Sequence, residues 1–141
     1  MRVKMTRARP TADDPREHSS LSSGETYFVI GVNESDYRLV DDLGEPILFP
    51  KTLFQVLDRS IPAGWVLHDH EDCYYLDPEA AAQPGFYEDW FGSDGDHDAE
   101  LRAHRVLKRA LLDMRAGVDA ADQALIDRDV SRLDAAAARR T

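Results

Sequence analysis

A chain of 141 residues, 43% of them apolar, is enough for one filled core and too short for two large domains. No window approaches the roughly 18 unbroken apolar residues a membrane helix needs. No apolar stretch follows the basic N-terminal residues Arg2, Lys4, Arg7 and Arg9, and the single cysteine, Cys73, excludes an internal disulfide, so a cytoplasmic protein is expected.

The net charge of −10 is unevenly placed: residues 27–100 hold three basic and seventeen acidic side chains, while both flanks are mildly basic. A surface of that sign repels phosphate backbones and attracts basic proteins. It argues for a basic protein partner and against direct nucleic-acid binding by this segment.

Residues 1–25 are rich in Pro, Ser, Thr and charge, with little periodic apolar content, and read as a disordered basic tail. Residues 26–95 form an acidic β-module. Its apolar runs Tyr27–Val32, Tyr37–Val40, Ile47–Phe49 and Phe54–Leu57 are separated by turn residues, with Gly44 suited to a left-handed position. They predict an antiparallel meander. Pro46 and Pro50 bracket the third run and mark it as an edge strand. Trp65–His68 and Cys73–Leu76, on either side of Asp69–Asp72, read as a hairpin, and Glu79–Gln83 as at most one helical turn before Pro84-Gly85.

Residues 96–141 read as helical. Asp96 or Asp98 is the expected N-cap, and Leu101, His104, Leu107, Leu111 and Met114 the buried stripe. Gly117 marks a break. A second, weaker stripe follows through Val118, Ala121, Leu125, Val130 and Leu133, and it allows a homodimer through the C-terminal helix. The fold class is therefore α+β, a small curved sheet or barrel followed by one or two helices.

The run Tyr37–Pro50 carries Asp42, Gly44, Glu45, Leu48, Phe49 and Pro50, with Phe54 following. In these residues it resembles short SH3-like barrel modules of small bacterial proteins, over about a quarter of the chain. The resemblance implies a small SH3-like antiparallel barrel or strongly curved sheet and no particular activity. The paired aromatics of a Pro-rich-peptide groove are missing, so that ligand is not implied.

Candidate chemistry is sparse. His68, His70 and Asp72 are the densest metal-competent group, although the same residues suit a solvated hairpin tip. Asp94–Asp98 starts like a calcium loop, but Ala99 and Arg105 stand where glycine and glutamate are required. Cys73 sits among acids, which disfavours its thiolate. No catalytic residue and no cofactor are expected.

The leading expectation is a non-enzymatic, acidic inhibitor or immunity-type protein that masks a basic partner. Its docking residues would be Asp41, Asp42, Glu45, Tyr74, Tyr75, Phe86, Tyr87, Glu88, Asp89 and Trp90, aromatics in an acidic frame, although the Phe86–Phe91 cluster first reads as core packing, with Trp90 or Phe86 a plug at one open end of the barrel. The alternatives are an adaptor that assembles through its C-terminal helices, and a metal-dependent enzyme centred on His68, His70 and Asp72.

Overall fold

The computed structural model describes residues 1–6, 18–70, 72–92 and 95–140. Seven strands, β1 (Arg2–Met5), β2 (Thr26–Asn33), β3 (Asp36–Val40), β4 (Pro46–Pro50), β5 (Phe54–Asp58), β6 (Trp65–His70) and β7 (Cys73–Pro78), precede three helices. These are α1 (Phe86–Trp90), α2 (His97–Arg115) and α3 (Ala120–Arg140). The α+β class holds, with a curved sheet. All pairings are antiparallel, and the ladder runs β4-β3-β2-β1-β5 with β7 and β6 branching from β2. The sheet is open, because β4 and β5 end the path.

The expected tail needs correcting at its start. Arg2–Met5 is an inner strand, flanked by β2 and β5, with Val3 and Met5 buried. Four residues suffice because both strand edges are hydrogen-bonded and alternate side chains enter the core. The rest of the tail at 7–17 lies outside the described residues. The meander is right for β2, β3 and β4, with β4 at an edge, but β5 pairs with β1 rather than β4.

Strand β2 organises the sheet. Tyr27, Phe28, Val29 and Ile30 are all buried because both faces are covered. Tyr27 and Val29 enter a core with Val3, Met5, Leu39 and Phe49. Phe28 and Ile30 enter a second core with Val40 and the helices. A register shift between Val29 and Gly31 marks a bulge that interrupts the alternation. Beyond it Val32 still packs on the first core, while Gly31, Arg38 and Asp77 come together on the helix side. One edge of β2 is shared, with β1 along its first half and β7 along its end. Trp65 packs against both cores.

Helix α2 is capped by Asp96, whose side chain accepts from the Ala99 amide at 3.1 Å. Leu107, Leu111 and Met114 are buried as expected, but Ala99 and Ala103 fill the inward positions of the first turns instead of Leu101 and His104. The fully buried stripe of α3 is Asp122, Ile126, Asp129, Leu133 and Ala136; of the stripe read from sequence, Leu133 is in it, Val118, Leu125 and Val130 pack partly buried against the same core, and Ala121 is exposed. That stripe packs on the chain's own core, so it is not available to a homodimer. No helix among the described residues is long and apolar enough to cross a membrane.

Candidate functional site

Five of the acidic and aromatic residues expected on a docking face are engaged inside the chain. Asp41 is buried, and its Oδ1 accepts the Leu43 and Glu45 amides at 3.0 and 2.9 Å, closing the β3–β4 turn. Burial raises its pKa, with the Glu45 amide bond the largest opposing effect. Asp42 accepts from the Tyr27 hydroxyl at 2.8 Å and the Ser22 hydroxyl at 2.7 Å, and Arg132 of α3 lies 3.5 Å away. Glu45 takes Arg140 at 2.6 Å and the Trp90 indole N–H at 3.1 Å. Trp90 is 1% exposed and stacks on His104, and Phe86 is buried beside it in the helix-side core. Asp41 is thus a buried turn residue, and Phe86 and Trp90 are core residues, not part of an exposed docking face.

The arginines of α3 explain much of this. Arg128 donates to the Thr26 carbonyl at 2.8 Å, Arg139 to the Leu43 carbonyl, and Arg140 to Glu45. The mildly basic C-terminal segment neutralises part of the acidic module from within.

What stays outside is the β6–β7 hairpin. Cross-strand pairs Leu67↔Leu76 and Asp69↔Tyr74 put these four side chains on one face. Leu67 is 70% exposed and Tyr74 39%, with Asp69 and Asp72 exposed around them. The hairpin turns at Asp72, which has a φ of 63°. Aspartate tolerates that left-handed position better than most residues.

The other hairpin face carries His68, Tyr75 and Asp77. His68 Nε2 lies 2.8 Å from Asp77 Oδ2, and the His68 ring stacks on Tyr75 at 5.7 Å. Asp77 is buried, and burial raises its pKa against the opposing hydrogen bond from His68. A cleft of about 210 Å³ opens here, between Arg38, Tyr75 and Asp77 on the sheet and Gln83–Glu88 leading into α1. The Arg38 guanidinium lies 3.6 Å over the Tyr87 ring and gives one N–H to the Pro46 carbonyl at 2.7 Å. The Tyr87 hydroxyl is buried with no hydrogen-bond partner among the described residues, and burial raises its pKa. Glu88 is exposed and Asp89 half-buried.

Gly31 makes this arrangement fit, since a Cβ there would lie 2.4 Å from Asp77 Oδ1. Gly31→Ala is expected to push Asp77 off His68 and to cost about 1–3 kcal/mol of stability. Urea unfolding and the His68 imidazole NMR resonances check it, and unchanged resonances would contradict this packing.

Of the metal-competent group expected at His68, His70 and Asp72, the structure describes two side chains. His68 is held by Asp77, while Asp72 lies in the turn, and the His70 side chain and Asp94 lie outside what the structure describes. Sequence spacing missed a different trio. Asp58, Asp119 and Asp122 present carboxylate oxygens within 4.8 Å of one another. The Arg2 guanidinium already bridges two of them, at 3.1 Å to Asp119 and 3.0 Å to Asp122. Only the fold could reveal it, because its members and Arg2 come from β1, β5 and the start of α3. Cys73 is half-buried and points its thiol at the Tyr74 carbonyl, 3.5 Å away.

No protein-family model, curated protein or solved structure matches the chain. The site is therefore read from its own chemistry.

Proposed function

We propose that this chain is a non-enzymatic protein-binding module, an acidic inhibitor or immunity-type protein that covers the basic, phosphate-binding surface of a partner. The observation that carries the reading is the outer face of the β6–β7 hairpin. There a leucine 70% exposed and a tyrosine 39% exposed sit among Asp69 and Asp72. An apolar centre with a charged rim is the usual anatomy of a docking patch. Acids speed association with a basic surface, and a desolvated Tyr or Leu slows dissociation. An adaptor role through the C-terminal helices is less supported, because the apolar stripe of α3 lies against this chain's own sheet.

The test compares capture of basic proteins from lysate by immobilised wild-type chain, Leu67→Asp and Tyr74→Ala, at low and high salt. Wild type should retain a basic protein at low salt and release it as salt rises. Tyr74→Ala should weaken the purified complex by about thirtyfold, and Leu67→Asp more. A nucleic-acid-directed activity of that protein should be inhibited by wild type and not by Leu67→Asp. Equal retention by all three would remove the hairpin as the docking face. No basic protein retained at low salt would sink the reading itself.

A further inference from the structure

The sheet ends at three strands, β4, β5 and β6, and their outer edges are not alike. Proline at both ends blunts β4, and a bulge between Val56 and Asp58 twists the β5 edge. Strand β6 carries neither device. Its residues Trp65–His70 include no proline, lysine or arginine, and its six pairs with β7 run without a register shift. The parity of that ladder fixes where the backbone points. His70 and Cys73 close the two-residue turn as a hydrogen-bonded pair, and the Glu79 amide donates to the Gly64 carbonyl at 3.1 Å. Gly64, Val66, His68 and His70 therefore direct their backbone groups at β7, and Leu67 and Asp69 turn theirs to the outer edge. No other described strand pairs there. Both residues also expose their side chains, Leu67 by 70%, and Asp69 has no ion-pair partner among the described residues.

An open edge of this kind takes up an extended chain, main-chain hydrogen bonds supplying affinity and alternate side chains the choice of sequence. Cross-strand neighbours share a face, so a residue opposite Asp69 extends the row Asp69–Tyr74, and one opposite Leu67 extends Leu67–Leu76. A lysine or arginine suits the first position and an apolar residue the second, while an acid opposite Asp69 is repelled. A second copy is disfavoured by the net charge of −10 on each chain. Given the docking role proposed above for this hairpin, on which the inference rests, we propose that β6 receives an extended segment of the basic partner. That segment adds as an antiparallel strand, its cation beside Asp69 and its apolar residue beside Leu67.

The probe is the peptide acetyl-TKTVTIT-amide, whose lysine, valine and isoleucine share one face, titrated into the full ¹⁵N-labelled chain. Binding is read from ¹H–¹⁵N spectra and amide exchange. The peptide should shift the β6 signals saturably, and at saturation slow exchange of the Leu67 and Asp69 amides about tenfold. N-methylation of the valine removes an amide that faces β6 and should weaken binding about tenfold. N-methylation of the threonine before it, whose amide faces away, should weaken binding less than about twofold. With glutamate in place of lysine the peptide should bind about fivefold more weakly, and Asp69→Lys should reverse that preference. Equal weakening by the two methylations, or binding that leaves the Leu67 and Asp69 amides unprotected, overturns strand addition. So does the lack of any saturable shift, or a dimer in sedimentation that Leu67→Asp dissolves. Equal binding of the glutamate peptide overturns the choice of a basic segment. None of these outcomes decides the capture experiment with Leu67→Asp and Tyr74→Ala, which reads whether the hairpin face docks a basic protein in any geometry.

Discussion

Replacing Asp129 with leucine is expected to stabilise the protein by about 2–4 kcal/mol at pH 8 and to flatten the loss of stability between weakly acidic and weakly basic pH. Asp129 sits on the inward stripe of α3, 1% exposed, and neither carboxylate oxygen has a hydrogen-bond partner among the described residues. The nearest cationic nitrogen, Arg128 Nε, is 3.8 Å from Oδ1. Burial pushes the pKa from 3.8 up to about 8, and the attractions of Arg128 and Arg132 only partly oppose it. The folded chain therefore holds a proton on Asp129 that the unfolded chain releases once pH exceeds 3.8. That stability is complete below 3.8 and is lost as pH rises through about 8.

Urea midpoints from pH 5 to 9 read this directly. Asp129→Asn should remove the same slope, with a smaller gain because the amide is also polar and buried. Asp41 and Asp77, both raised by burial, keep a residual slope in every variant. A slope identical to wild type in both variants would place the titrating group elsewhere.

The second large effect is expected at Gly44. Its φ of +81° is a left-handed conformation, and a Cβ there would lie 2.1 Å from the Arg132 carbonyl of α3 and 3.0 Å from Ala136 Cβ. Gly44→Ala therefore combines backbone strain with a clash against a helix backbone that cannot give way like a side chain. The expected cost is about 3–4 kcal/mol. Gly24→Ala is the control. Its φ is +82°, but nothing among the described residues lies within 4 Å of the added Cβ, so only the conformational cost of about 1 kcal/mol should remain. Amide exchange should rise along α3 in Gly44→Ala and not in Gly24→Ala. Equal losses of stability in the two would show that α3 does not rest on the β3–β4 turn.

Turn chemistry made much of the sheet legible. Gly44, the Pro46 and Pro50 bracket, and the polar residues 69–72 mark out β3, β4, β6 and β7 in the sequence itself. Strand β1 was hidden for a physical reason. Its alternation, Arg2 and Lys4 outward with Val3 and Met5 inward, is only four residues long, and β5 begins about fifty residues later. The centre of the α3 stripe is shifted from the apolar positions because aspartates occupy two of its inward positions, and apolar periodicity cannot register a buried acid. The acidic module was legible as charge. That Asp42 and Glu45 would be matched by Arg132 and Arg140 was not, since those pairs form only when α3 folds back across the sheet. Of the candidate cleft, Tyr75, Phe86, Tyr87 and Glu88 were singled out from sequence, while Arg38 and Asp77 were not. Their role depends on a bulge in β2 whose only sequence signal was Gly31.

The inner position of β1 also bears on how the molecule is made. Translation delivers β1 before either of its neighbours, so it waits unpaired until β2 and then β5 follow. Pairings over such separations are slow to form, because loop closure precedes the contacts that reward it. The helix-side surface of β2, with Phe28 and Ile30, stays uncovered longer still, until α3 is synthesised and its arginines reach Thr26, Leu43 and Glu45. The nascent chain thus carries a bare apolar sheet face through most of its synthesis, the interval in which chaperone contact or self-association competes with folding.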